Sequence, residues 1–169
     1  MVVKVEEPPK REGSKPLYVD LGVRCLATIW CKGMRQPIAF RGGELLWDWW
    51  YWTKKIAREQ SRLAKINKVR TSRRLRKFYR IRQRRFRHAV NAMIKWIVEY
   101  VRQSGLSKIV VGDLKGIREN NHKNTKANSM IHNFWSFKWI IQRLKEKAEE
   151  YGIEVVEAVS YTHLTLPTN

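Results

Sequence analysis

The sequence predicts an α/β sandwich in which helices pack on a mixed sheet. Short segments rich in Val, Ile and aromatic residues flank a stretch, Trp47 to Ser104, that contains no Gly or Pro. Such apolar segments are typical of strands, and an uninterrupted stretch of that length is typical of helices. The 169 residues also suffice for one sizeable core. We expect the order strand, strand, strand, two helices, strand, helix, strand.

The N-terminal part begins with residues 1–16, whose Pro and charge content predicts a linker or the stub of a preceding region. Leu17 to Trp30 has the composition of extended structure. Gly33 and the following Pro mark a turn before Pro37 to Phe40, so these segments predict a hairpin. We expect the hairpin to continue through Gly43 to Leu46.

The stretch from Trp47 to Ser104 predicts two antiparallel helices, because Asn67 to Ser72 has weak helix propensity and supplies capping residues. Lys108 to Leu114 predicts a short buried strand. Ser129 is a good N-cap for a helix running to Tyr151, and the segment Ile153 to Val156 predicts the last strand.

The charge of the chain indicates its partner. There are 35 Lys and Arg against 15 Asp and Glu, a formal net charge of +20, and 18 of the basic residues lie between Lys54 and Arg102 with only two acids. A solvated helical face normally carries both signs, so this segment predicts nucleic acid as the partner, with an anionic membrane surface as the alternative. The residues that we expect to contact nucleic acid are Lys65, Lys68, Arg70, Arg73, Arg74, Arg76, Lys77, Arg80, Arg84, Arg85 and Arg87.

The sequence also predicts the compartment of the protein and the state of its two cysteines. No apolar run approaches the roughly 18 residues of a membrane span, and the first residues contain no signal-peptide core, so we expect a cytoplasmic protein without a membrane partner. Cys25 and Cys31 are not spaced as a metal-binding pair, and we expect buried free thiols. The sequence gives no indication of a small-molecule substrate.

Two acids follow apolar strand segments. Asp20 comes after Leu17-Tyr18-Val19, and Asp113 comes after Ile109-Val110-Val111-Gly112. An Asp at the end of a strand is commonly a turn or capping residue. Two such strands placed side by side, however, would bring two carboxylates to one point beside a basic helical hairpin. That arrangement can hold divalent metal ions against a phosphodiester.

The residues around these acids resemble a known family. VDLGVRCLATI, which contains Asp20, resembles the first catalytic motif of the RuvC-like nuclease domain in the TnpB/OrfB proteins of insertion sequences, relatives of type V CRISPR effectors. IVVGDLKGIREN, which contains Asp113, resembles the second motif, and the following helix and GIEVV strand match the family's order. The resemblance covers roughly residues 16–158.

This resemblance implies an RNase H-like (RuvC-like) mixed sheet with a long basic helical hairpin insertion at residues 47–104. It also implies RNA-guided, metal-dependent DNA cleavage by a full-length parent. Asp20 and Asp113 would be the catalytic residues and would bind Mg²⁺ or Mn²⁺. The partners would be DNA and a guide RNA.

Two departures from the family pattern matter. The family usually has Glu immediately before the second-motif Asp, and this chain has Gly112 there. Neighbouring residues of a strand face opposite sides, so Asp113 replaces that Glu only if the strand bulges or ends, and Glu119 is the alternative. The family's Cys-rich segment for structural Zn²⁺ and its third catalytic Asp are expected beyond residue 158, and this chain stops before both.

The last residues resemble the translation of a DNA sequencing adaptor. Residues 159–168, VSYTHLTLPT, can be back-translated into a transposon mosaic-end sequencing adaptor continued into its primer site. We therefore expect the natural frame to end near Ala158 and residues 159–169 to be translated adaptor. A genuine polar C-terminus is the alternative.

We accordingly expect residues 17–158 to be a partial RuvC-like nuclease domain that binds nucleic acid and cleaves it little or not at all. The alternative is a non-catalytic basic module that binds RNA or DNA.

Overall fold

A computed structural model of the chain describes residues 8–9, 15–22, 25–67, 70–112 and 137–158. In these ranges the chain forms five strands and three helices in the predicted order. The elements are β1 (Pro16–Asp20), β2 (Cys25–Trp30), β3 (Ile38–Arg41), α1 (Gly43–Asn67), α2 (Arg73–Gln103), β4 (Lys108–Val111), α3 (Phe137–Glu149) and β5 (Glu154–Glu157).

The strands form one mixed sheet in the order β3-β2-β1-β4-β5. Strand β2 pairs antiparallel with β1 and β3, whereas β4 pairs parallel with β1 and β5. The prediction of a mixed sheet is therefore confirmed. Strands β1, β3, β4 and β5 all end at the same edge, which we call the Asp20 edge because β1 ends there with Asp20.

Two details of the predicted hairpin are wrong. The stretch from Leu17 to Trp30 divides into the antiparallel strands β1 and β2, and the break includes Leu21-Gly22. Gly43 to Leu46 forms the first turn of α1, where the backbone N–H of Leu46 donates to the carbonyl of Gly42. Helical spacing explains the second error, because Leu45, Leu46 and Trp49 share one face that packs against the core.

Other boundaries differ by a few residues. Strand β4 ends at Val111 rather than Leu114, and β5 runs one residue further than predicted, to Glu157. The predicted N-terminal part of the last helix, residues 129–136, lies outside the described residues. Cys31 is buried and Cys25 half-buried, both as free thiols. Within the described ranges, no helix carries an apolar stretch that could cross a membrane.

The core lies between one face of the sheet and the helices α2 and α3. Alternate residues of the strands, such as Leu17, Val19 and Ile109, are fully or almost fully buried on this face. Helix α2 contributes buried residues to this core only from Phe86 onward. Its C-terminal half therefore covers the sheet, and its N-terminal half does not.

The N-terminal half of α2 instead packs on α1, and the two form an antiparallel helical hairpin. Paired contacts run along it, with Trp49 against Phe86 at a ring-centroid distance of 5.6 Å and Trp52 against Phe78 at 5.7 Å. The predicted pair of helices with a break near residues 67–72 is thus confirmed. Because α1 begins directly after β3 ends, the hairpin projects from the Asp20 edge.

A buried carboxylate joins the two helices near the tip of the hairpin. Glu59 on α1 is 5% exposed and accepts two hydrogen bonds from Arg62, at 2.7 and 3.1 Å. The Ser72 hydroxyl, which caps α2 by accepting from the Leu75 N–H, donates to the same carboxylate at 3.3 Å. The hydrogen bond from Arg62 is the main cause that holds the pKa of Glu59 below its ordinary value of 4.5.

We expect Glu59→Gln to lower the melting temperature, because it removes the only carboxylate that faces both Arg62 and Arg74 within the described hairpin. A carboxyl group with a lowered pKa in the folded state stabilises above its unfolded pKa and loses that contribution as pH falls. The difference in melting temperature between the unmodified protein and Glu59→Gln should therefore be largest at neutral pH and shrink below about pH 4.5. Thermal unfolding followed by circular dichroism between pH 3 and 7 measures it.

Glu146→Gln is the matched control, since Glu146 on α3 pairs with Arg143 and its side chain is 43% exposed, far more than that of Glu59. Exposed ion pairs contribute little to stability, so this control should lower the melting temperature less. Equal losses in the two variants at neutral pH would contradict a special role for Glu59.

Candidate active-site edge and nucleic-acid interface

Asp20 is the last residue of β1, and it is exposed. Leu17 and Val19 point into the core, so Tyr18 and Asp20 lie on the opposite face of the sheet. The Asp20 carboxylate therefore reaches solvent at the carboxyl end of β1, where a ligand has access to it.

Gly112 lies directly beside Asp20. Val19 of β1 is in register with Val111 of β4, and the Gly112 N–H donates to the Val19 carbonyl at 3.0 Å. A Cβ atom built on Gly112 would lie 3.8 Å from Asp20 Oδ1 and 3.9 Å from the Val19 carbonyl oxygen. These are ordinary van der Waals distances, so the position has room for a methyl group.

The other acids of the predicted site, Asp113 and its alternative Glu119, lie outside the described residues. Within the described ranges no three His, Cys, Asp or Glu side chains come together as a metal site would require. Mg²⁺ and Mn²⁺ need several oxygen ligands, and Asp20 supplies one carboxylate. The described residues alone therefore do not fit a divalent-metal site, and Asp113 and the metal stay predictions.

The predicted nucleic-acid contacts divide into two groups on α2. Six exposed basic residues recur at helical spacings of three, four and seven, so they share one face of the helix. We call them the basic stripe: Arg73, Arg76, Lys77, Arg80, Arg84 and Arg87. Within the described part of the chain none of the six forms an ion pair, although the Arg87 guanidinium lies 5.8 Å from the centre of the Trp139 ring. The stripe is therefore charged and accessible.

Arg74 and Arg85, which were also predicted to contact nucleic acid, face acids of α1 instead. Arg85 donates to Asp48 at 2.9 Å, and Arg74 lies 3.9 Å from the Glu59 carboxylate. The attraction to α1 partly neutralises these two guanidinium groups.

The remaining predicted contacts surround the tip of the hairpin. Lys65 near the end of α1 and Arg70 before α2 are both exposed, whereas Lys68 lies outside the described residues. Their exposure fits the predicted role, which remains a prediction.

The tryptophans of α1 divide between packing and exposure. Trp49 and Trp52 pack against rings of α2, whereas Trp47 is 78% exposed. Arg82, which sequence reasoning did not single out, lies 4.2 Å over the Trp49 ring and donates to Thr53 at 2.9 Å. Burial lowers the pKa of this guanidinium from its ordinary value. Its role is to hold the two helices together.

Comparisons of the sequence identify relatives. Residues 1–118 match the family OrfB_IS605, described as "Probable transposase". The chain is 22% identical over 159 residues to the TnpB-like protein ORF457 of Acidianus two-tailed virus, an alignment covering 90% of this chain and 34% of that protein. The chain thus spans about a third of the length of this curated relative.

Comparisons of the structure find proteins of similar fold. A cryo-EM structure of a Cas12f1–sgRNA–target DNA complex matches with a TM-score of 0.59 at 13% identity, covering 93% of this chain and 37% of that one. A CRISPR-Cas12f ternary complex matches with a TM-score of 0.55 at 15% identity, covering 92% and 30%. At these identities the likeness concerns the fold, and it fits a RuvC-like arrangement.

Gly112→Ala should leave the free energy of unfolding unchanged or raise it by about 0.5 kcal/mol, since the added methyl group meets only ordinary contacts. Gly22→Ala is the matched control in the neighbouring loop, where a Cβ would lie 3.0 Å from the Cys25 carbonyl oxygen. That close contact should cost about 1 kcal/mol or more. Urea denaturation of both variants measures the difference, and an unfolded Gly112→Ala protein would show that glycine is required there.

Proposed function

Because the chain belongs to the OrfB_IS605 family of probable transposases, we propose that it is the nucleic-acid-binding part of the RuvC-like domain of a TnpB-like, transposon-associated DNA endonuclease guided by RNA. The motifs around Asp20 and Asp113 had predicted the TnpB/OrfB family, and that prediction is confirmed. The observation that carries the proposal is the basic stripe on a hairpin that projects from the Asp20 edge.

The stripe suits a phosphate backbone. An α-helix rises 1.5 Å per residue, so Arg73 and Arg87 lie about 21 Å apart along α2. The basic side chains between them recur at nearly every turn, and duplex DNA carries a phosphate about every 3.4 Å of each strand. Several guanidinium groups can therefore contact one backbone at once. The solved Cas12f1 complex contains sgRNA and target DNA, which supports RNA and DNA as the partners here.

The position of the hairpin supports its assignment as an insertion between the two motifs of a RuvC-like domain. Helices α1 and α2 occupy the chain between β3 and β4, and β4 then pairs with the strand that carries Asp20. The insertion would begin at Gly43 instead of Trp47. In the whole protein Asp20 and Asp113 would hold Mg²⁺ or Mn²⁺, which supplies the activation of water for phosphodiester hydrolysis.

A second candidate function is binding of RNA or DNA without catalysis. Gly112 favours it, because this residue occupies the position beside Asp20 where the family usually has Glu. Beside Asp20 the described chain then has a glycine, where a nuclease of the family would have a second carboxylate. Binding by the stripe does not depend on that edge.

The salt dependence of binding tests the role of the stripe. Each lost phosphate contact should reduce the slope of log K against log salt by about 0.9 for duplex DNA. The double variant Arg76→Ala/Arg80→Ala should therefore reduce the slope by about 1.8. Fluorescence anisotropy with a labelled 20-base-pair duplex at a series of salt concentrations measures it.

The matched control is Arg74→Ala/Arg85→Ala, which removes the same charge from the same helix. Because these two side chains face Glu59 and Asp48, the slope should fall by less than half as much. Equal reductions would contradict the assignment of the stripe, and a binding constant of the unmodified chain that is insensitive to salt would exclude nucleic-acid binding by charge.

This chain should show little or no cleavage, because Gly112 stands beside Asp20 where the family usually has Glu, and Asp20 alone cannot position metal ions for hydrolysis. Labelled single-stranded and duplex DNA are incubated with the chain in Mg²⁺ or Mn²⁺, and the products are separated on a denaturing gel. Asp20→Ala is the control. Metal-dependent cleavage by the unmodified chain that Asp20→Ala lacks would show that the site is competent.

A further inference from the structure

A groove lies between the strands β2 and β3, the first turns of α1 and the middle of α2. Its volume is about 930 Å³, within the range of pockets that bind small molecules. Arg41 at the end of β3 lines it and pairs in register with Cys25, at the beginning of β2. The groove is therefore at the same end of the sheet as Asp20. With strands about 4.8 Å apart, β3 lies roughly 10 Å from β1.

The charges of the groove favour an anion. Arg41, Arg84 and Arg85 line it together with the acids Glu44 and Asp48. Asp48 is already engaged by Arg85 at 2.9 Å, and within the described chain Arg41, Arg84 and Glu44 form no ion pair, so positive charge is in excess by one. Arg84 is also a member of the basic stripe, so the groove continues the surface proposed to follow a phosphate backbone.

The opposite wall of the groove is aromatic. Trp96 is 43% exposed, although its ring packs edge-on with Phe40 at a centroid distance of 5.2 Å and is stacked with Tyr100 at 5.4 Å. A second cavity of about 450 Å³ is lined by Trp96 and Tyr100. The indole therefore stands between two cavities, held in place by its neighbours, with part of its surface open to a ligand.

From this combination we infer that the groove binds one unpaired nucleotide of a single-stranded nucleic acid. The base contacts the open part of the Trp96 indole, and the phosphate lies between Arg41 and Arg84. A base within a duplex is paired and stacked, so it cannot enter the groove. The inference rests on the proposed binding of nucleic acid by the stripe, and it adds a preference for single strands next to the Asp20 edge.

A single-stranded oligonucleotide containing 2-aminopurine tests the inference, since the fluorescence of this base is quenched when it stacks. The unmodified chain should quench it. Trp96→Ala should abolish most of the quenching and weaken single-strand binding about tenfold, with duplex affinity changed less than twofold. Trp47→Ala is the matched control, because it removes a more exposed indole that does not line the groove, and it should keep both quenching and affinity.

Trp96→Phe keeps an aromatic surface and should retain most of the single-strand affinity, and thermal unfolding verifies the fold of each variant. Unchanged quenching in Trp96→Ala overturns the inference and leaves the proposed function intact. Equal weakening of single-strand and duplex binding would show that Trp96 acts only by supporting α2, which also overturns it. If the unmodified chain binds neither form in a salt-dependent way, the proposed function and the inference both fail.

Discussion

The parallel pairing of β1 with β4 is the contact on which the other features depend. The two strands are separated along the chain by two strands and the whole helical hairpin, yet Leu17 and Val19 lie in register with Ile109 and Val111. All four side chains are buried on the face that α2 and α3 cover. The entropy lost in closing so long a loop is offset by this burial. The same register fixes Gly112 beside Asp20, so core packing and the geometry of the candidate site have one cause.

The structure of the helical hairpin reduces the repulsion among its many positive charges. A segment with 18 basic residues and two acids would repel itself, and the structure limits that repulsion in two ways. Rings at the interface, including Trp49 and Phe86, hold the helices together by apolar contact, and Asp48 and Glu59 face Arg85 and Arg74. The guanidinium groups of the basic stripe are exposed, where solvent screens them. The contacts that stabilise the hairpin thus also select which charges are available to a partner.

The relation to the family is supported for the fold. The mixed five-stranded sheet fits a RuvC-like fold, and the match to Cas12f structures supports it. Gly112 departs from the family pattern at a position where a Cβ atom would meet only ordinary contacts. A clash at the Cβ therefore does not explain this glycine, and nothing else in the described structure does. The basic surface is independent of that departure, which is why binding and cleavage are separable in the proposed function.

Local pattern sufficed to predict the charge of the hairpin, its division near residues 67–72 and the position of Asp20 at the end of a strand, because each depends on residues close together in the chain. The prediction was wrong at Gly43 to Leu46. Two glycines next to a strand suggested that the strand continues, but packing of Leu45 and Trp49 on the core favours a helix. Only the tertiary structure decided that Arg74 and Arg85 face acids while Arg76 and Arg80 do not, that Gly112 adjoins Asp20, and that Trp96 lines a groove with Arg41. These contacts join residues that are distant in sequence. Strand register and helix packing determine them, and both result from the burial of apolar surface.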